Sequence, residues 1–146
     1  MKTKVINFYG GPSSGKSTSA CDLVAKLKNS GVNAELVTEV AKDEVLSENV
    51  KMLEDQILLF ARQHHRMQRL VGKYDVIVTD SPLIMGLAYT KEDEVELSEL
   101  IIRKHRENFD NFNIWVNRST AYNPIGRTQT EEGAKLMDKK NREYTY

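Results

Sequence analysis

Gly10, Gly15, Lys16 and Ser17 stand at the spacing G-x-x-x-x-G-K-[ST], the pattern of a loop that wraps a phosphate group in backbone N–H donors. The chemistry explains the residue types. Gly10, Gly11 and Gly15 allow the close approach and the positive φ that such a turn needs. Pro12, Ser13 and Ser14 fill the loop, and Thr18 opens the packed part of the helix that follows. That helix, beginning near Gly15, aims its N-terminal amides and dipole at the anion. Lys16 is expected to reach the β- and γ-phosphates of a nucleotide, and the Ser17 hydroxyl to take a place on Mg²⁺.

Two carboxylates and two arginines are candidates to complete a reacting centre. Glu39, in TEVAKDE, stands where the second strand should end, and ligands of open parallel sheets lie beyond the carboxyl ends of the strands. A carboxylate there can accept the proton of an attacking hydroxyl. An exposed acid in an acidic loop is the alternative, and Asp43 is a weaker competitor. Asp80 ends the apolar run DVIVTD and is expected to hold the metal, or else to cap the next helix. Arg118 and Arg127 flank the polar segment NRSTAYNPIGRTQT, residues 117–130. A segment of that length is expected to be a lid, whose arginines neutralise charge on a transferring phosphoryl group. Gln56 and Gln63 stand a helix-turn pair apart, so that one could face an acceptor's base, and Gln63 and Arg66 lie on the stretch Arg62 to Lys73, basic and without acids, as candidates to meet the acceptor. Adjacent His64 and His65 lack a third ligand at metal spacing. Cys21 reads as packing on an apolar stripe.

These residues need a scaffold of strands alternating with helices. Val5 to Tyr9 is a β-prone run before the loop. Ser17 to Asn29 shows helical spacing of Ala20, Leu23, Val24 and Leu27, with Gly31 as its C-cap. Asn33 to Val40 alternates as a second strand, which makes a right-handed parallel βαβ unit with the first. One long helix is expected from about Glu48 to Val71, from the three-four spacing of Leu53, Ile57, Phe60 and Met67. Asp75 to Ser81 is a buried strand, Leu83 to Tyr89 a short helix, Asp93 to Glu107 a helix and Phe112 to Val116 a strand with Trp115 in the core. Thr128 with Glu131 is expected to cap a last helix reaching about Asn141, and Tyr144 to Tyr146 is the stub of a fifth strand. The fold class is therefore α/β: three layers, a mostly parallel sheet of four to five strands, helices on both faces and an arginine-bearing lid.

The 146 residues suffice for a single domain with one core. Basic and acidic residues balance at 21 each, so no global field draws the chain to nucleic acid. The charges are segregated, however. Glu35, Glu39, Asp43, Glu44, Glu48, Glu54 and Asp55 form an acidic block opposite the basic stretch, which leaves room for a local anionic partner. No apolar run is long enough to span a bilayer, and with one cysteine no disulfide framework can form, so a cytoplasmic protein is expected.

In order and spacing, FYGGPSSGKST, ELVTEVAKD, LLFARQ, VIVTDSPL and WVNRSTAYNPIGRTQTEEGAK resemble a family of small phage-encoded P-loop ATP-binding proteins, distantly similar to bacterial ribosylnicotinamide kinase. Some members phosphorylate 5-hydroxymethyluracil in DNA. The resemblance implies a P-loop kinase using ATP and Mg²⁺, with Gly10 to Thr18 on ATP, Asp80 serving the metal, Glu39 the candidate base, and Arg118 and Arg127 in the lid. It implies a nucleoside-like acceptor, best the 5-hydroxymethyl group of that base in phage DNA, and a place in the host cytoplasm. A free nucleoside, nucleotide or ribosylnicotinamide acceptor, or a non-kinase nucleotide switch, are the alternatives. The family usually continues past the lid helix, so an end at Tyr146 departs from its pattern and bears on the last strand and adenine binding.

Overall fold

The computed structural model describes residues 2–118, 125 and 130–143, the side chain of Val50 excepted. Four strands form one parallel sheet in the order β2-β3-β1-β4: β1 (Thr3–Tyr9), β2 (Ala34–Val37), β3 (Val76–Thr79) and β4 (Phe109–Trp115). β1 is central and covered on both faces, so Val5, Phe8 and Tyr9 are buried and Asn7 is buried with them. Val5 pairs in register with Ile77 of β3 and Asn111 of β4.

Helix α1 (Lys16–Asn29) covers one face, where Ala20 and Val24 pack with Phe8 and Val78. The other face meets α3 (Gln56–Gln68) and α4 (Val95–Glu107), through Phe60, Met67, Leu97 and Ile101 against Val5, Tyr9, Ile77 and Phe109. This is the three-layer α/β arrangement that the alternating pattern predicts. α5 (Glu131–Arg142) lies against the 3-10 turns Leu83–Ala88, to which Lys140 Nζ donates at the Ala88 carbonyl, 2.5 Å. Among the described residues no helix is long and apolar enough to cross a membrane.

Several expectations are corrected. The helix expected over 48–71 is three pieces: α2 (Val40–Leu46), a 3-10 stretch Val50–Glu54 and α3. Glu48 has positive φ, and Asp55 restarts the helix by accepting from the Leu58 N–H at 2.9 Å, a competition for backbone donors that ends one helix and caps the next. Ile57 is consequently exposed. β2 stops at Val37, and β4 begins at Phe109. Cys21 is exposed, not packed, and Thr18 is exposed at the start of α1. Thr130, not Thr128, caps α5 by accepting from the Gly133 N–H at 3.1 Å. Residue 128, Arg127 and the stub at 144–146 lie outside the described residues.

Candidate active site

The loop between β1 and α1 turns at Gly10 (φ 150°) and Gly15 (φ 98°). A Cβ on Gly10 would stand 2.5 Å from Ser14 Oγ and 3.1 Å from the Val116 carbonyl. Gly11 has no such backbone demand; it is required by packing, because a Cβ there would meet the Asp138 carboxylate and, at 2.6 Å, the Ala134 carbonyl. No side chain caps the N-terminus of α1, and its first turn carries no acid, so its amides are left to an anion. Ser13, with φ 58°, holds the left-handed conformation inside the loop; strain of that kind collects where a ligand is bound. Ser14 is buried beneath it, and the Lys16 ammonium donates to the Gly11 carbonyl at 2.8 Å.

At the end of β3, Thr79 Oγ1 donates to the Val37 carbonyl at 2.8 Å and accepts from the Ser81 N–H at 3.0 Å, which fixes the turn that presents Asp80. Ser17 Oγ donates to Asp80 Oδ2 at 2.5 Å. Asp80 is buried, and its Oδ1 has no hydrogen-bond partner among the described residues. A buried carboxylate oxygen without a protein partner, beside a serine hydroxyl, suits a hard divalent cation that takes oxygen ligands. Ser17 and Asp80 therefore fit Mg²⁺.

Glu39 is the N-cap residue of α2, extended at φ −69° and ψ 127°, two residues after the end of β2. It lines the same cavity, of about 200 Å³, as Gly10, Pro12, Lys16, Ser17 and Asp80. Away from the phosphate loop the walls become apolar, with Leu53, Leu59, Met85 and Tyr89, together with Lys42, Gln56 and Asn141. A second lobe continues from Glu39, Leu59 and Met85 to Phe60, Pro82 and Leu83.

The structure places Lys16, Ser17, Glu39 and Asp80 around one cavity. Other candidates are engaged elsewhere. Arg118 donates to both sides of its neighbourhood: Nε and Nη2 to Asp138 Oδ2 at 3.1 and 2.9 Å, and Nη1 to the Pro12 carbonyl at 2.7 Å. It thus clamps the phosphate loop to α5 instead of pointing at a phosphoryl group. Asp43 is ion-paired with Arg66 at 2.6 Å and does not line the cavity. Gln63 is buried with its amide bonded to backbone, accepting from the Val40 N–H at 2.9 Å and donating to the Thr38 carbonyl at 3.2 Å. The residue that sequence reading missed is Asp138, which accepts from the Gly11 N–H as well as from Arg118. Nothing local marks an aspartate on a charged helix face as the partner of a glycine at the other end of the chain. Tyr89 and Met85, in a plain apolar run, were equally unmarked as cavity walls.

A family model described as an AAA domain matches residues 5–144. A thymidylate kinase of Orientia tsutsugamushi (strain Ikeda) is 28% identical over 123 residues, covering 75% of this chain and 55% of the relative. The chain thus spans about half the length of that curated relative. Among solved structures, a mutant of the Mycobacterium tuberculosis APS kinase CysC aligns over 98% of this chain and 95% of its own, with TM-score 0.50 and 17% identity; at that identity the likeness is one of fold.

Proposed function

We propose, for a chain that belongs to the AAA domain family, that it is an ATP-dependent phosphotransferase acting on a hydroxyl of a nucleoside-type acceptor. The observation that carries this reading is the shared cavity. Glu39 opens into the same space as Lys16, Ser17 and Asp80, and that space extends into an apolar lobe. A transferase needs a compartment for its acceptor beside the phosphate site, and the lobe supplies that room. The names of two similar proteins, a thymidylate kinase and an APS kinase, support the same class.

In the proposed reaction the acceptor oxygen attacks the γ-phosphorus of ATP, the bond from that phosphorus to the ADP oxygen breaks, and Glu39 takes the hydroxyl proton. Ser17 and Asp80 would hold Mg²⁺, which when bound would supply neutralisation of phosphate charge. Lys16 and the α1 amides bind and orient the phosphates, which is where most of the acceleration in phosphoryl transfer arises. Leu59, Met85 and Tyr89 exclude water from the acceptor side. Arg127, from the segment 117–130, is the remaining cation proposed to act on the transferring group. For the acceptor itself, the sequence resemblance favours the 5-hydroxymethyl group of 5-hydroxymethyluracil in DNA, with the base leaving the stack to enter the lobe.

The test is label transfer from γ-labelled ATP with Mg²⁺. The parallel acceptors are DNA containing 5-hydroxymethyluracil, ordinary DNA, thymidine, thymidine monophosphate, adenylyl sulfate and ribosylnicotinamide. Label on the modified DNA alone is the expected result. Label on a small molecule keeps the transferase and replaces its acceptor. Label released only as free phosphate overturns the transferase reading in favour of a switch.

A further inference from the structure

We infer that Gln63 is a positioning residue whose side-chain amide sets the backbone of Glu39 and thereby the aim of its carboxylate. The Thr38 carbonyl belongs to the peptide unit before Glu39, and the Val40 N–H to the unit after it. The Gln63 amide holds both, donating to the first at 3.2 Å and accepting from the second at 2.9 Å. Fixing the two peptide planes on either side of one Cα fixes its φ and ψ, so the Gln63 amide contributes to both sides of the Glu39 conformation at −69° and 127°. A side-chain amide here replaces the strand partner that β2 loses after Val37, where its pairing to β3 ends.

The device is buried and reinforced. Gln63 is 7% exposed and Val40 2%, so water is a poor substitute for either bond. Arg66, one turn further along α3, adds a contact from Nη1 to the same Thr38 carbonyl at 3.3 Å and is itself braced by Asp43 at 2.6 Å. Gln63 borders the second lobe, but its amide oxygen and nitrogen are bonded to the main chain at 38–40.

The inference rests on the reading of Glu39 as the base, and the experiment separates the two. The probe is MgATP with water as acceptor, measured as phosphate release from γ-labelled ATP by the full chain. The variants are Gln63→Leu, Glu39→Gln and the two combined, with melting temperature recorded for each. Gln63→Glu, which keeps the volume and the acceptor for Val40 but loses the donor to Thr38, serves if the leucine variant does not fold. Gln63→Leu is expected to lower kcat by about ten- to a hundredfold, the scale of a misplaced catalytic group, with KM for ATP within about twofold. Added to Glu39→Gln it should lower kcat no further, because there is no base left to misplace. Full kcat in both Gln63 variants while Glu39→Gln is impaired overturns the inference alone. Losses that multiply in the combined variant overturn it too, since they show a structural effect independent of Glu39. Undiminished turnover of Glu39→Gln removes the base and the inference with it.

Discussion

Replacing Gly11 by alanine places a methyl group where α5 rests on the phosphate loop. The new Cβ would meet the Asp138 carboxylate and stand 2.6 Å from the Ala134 carbonyl, and the second of these is helix backbone that cannot swing aside. The overpacking costs about 1–3 kcal/mol, and displacing Asp138 loses the bond from the Gly11 N–H to a carboxylate, worth about 1.5–3 kcal/mol. Taking about 3 kcal/mol together, a domain of this size should melt lower by about 6–12 °C. Thermal denaturation followed by circular dichroism measures it. Asp138→Ala removes one of the two obstacles, and the Arg118 side chain that it strands is only 15% exposed, so this change destabilises by itself. The double variant should nonetheless be more stable than the two losses added, by about 1–2 kcal/mol, as expected for residues in direct contact. A melting temperature for Gly11→Ala within 1–2 °C of the parent (on the order of half a kcal/mol), or strict additivity in the double variant, would refute the docking of α5 on the loop.

Lys16→Ala should lower nucleotide-dependent turnover by about a hundredfold or more, read by phosphate release; undiminished turnover would remove the phosphate-loop argument. Asp80→Asn should cut Mg²⁺-dependent activity by a similar factor of about a hundred, and an activity whose Mg²⁺ dependence is unaltered would free Asp80 from the metal. Arg127→Ala should lower kcat by about a thousandfold, the scale of an arginine acting on the phosphoryl group, with ATP affinity nearly intact; a change in affinity alone would reassign it. His105 gives a pH dependence. Burial, with Arg106 adding, pushes its imidazole from 6.5 down to about 4. Its folded value lies below the unfolded one, so the associated stability is present above about pH 6.5 and is lost as pH falls towards 4, to a total of about 3 kcal/mol. Urea denaturation of His105→Gln at pH 7 and 4.5 should show a smaller acid loss than the parent, and an equal loss would acquit His105.

The strands were legible because their signals are local. A β-prone run followed by glycine, and a continuous apolar run ending in Asp80, give β1 and β3 with the residues they deliver to the site. The region between Glu39 and Val71 was less so. Its apolar spacing suits one helix, and Asp55 can be read either as a helix-surface acid or as the cap that it is; only the positive φ of Glu48 and the accepted Leu58 N–H decide. Gln63 shows the general limit. A glutamine on a helix carries no sequence signal until the backbone at 38–40 packs against it. Asp138 is the extreme case, since its bond to Gly11 spans 127 positions, and no window of sequence contains both partners.

The long contacts also bear on the described ends of the segment between β4 and α5. At its start, Val116 donates to the Tyr9 carbonyl at 2.8 Å and Arg118 to that of Pro12 at 2.7 Å. At its far end, α5 brings Asp138 onto Gly11 and pairs it with Arg118 at 2.9 Å. Both ends of the segment are therefore fastened to the loop proposed to bind phosphate. Any rearrangement of the loop on binding phosphate is thus passed through Arg118 and Asp138 to α5.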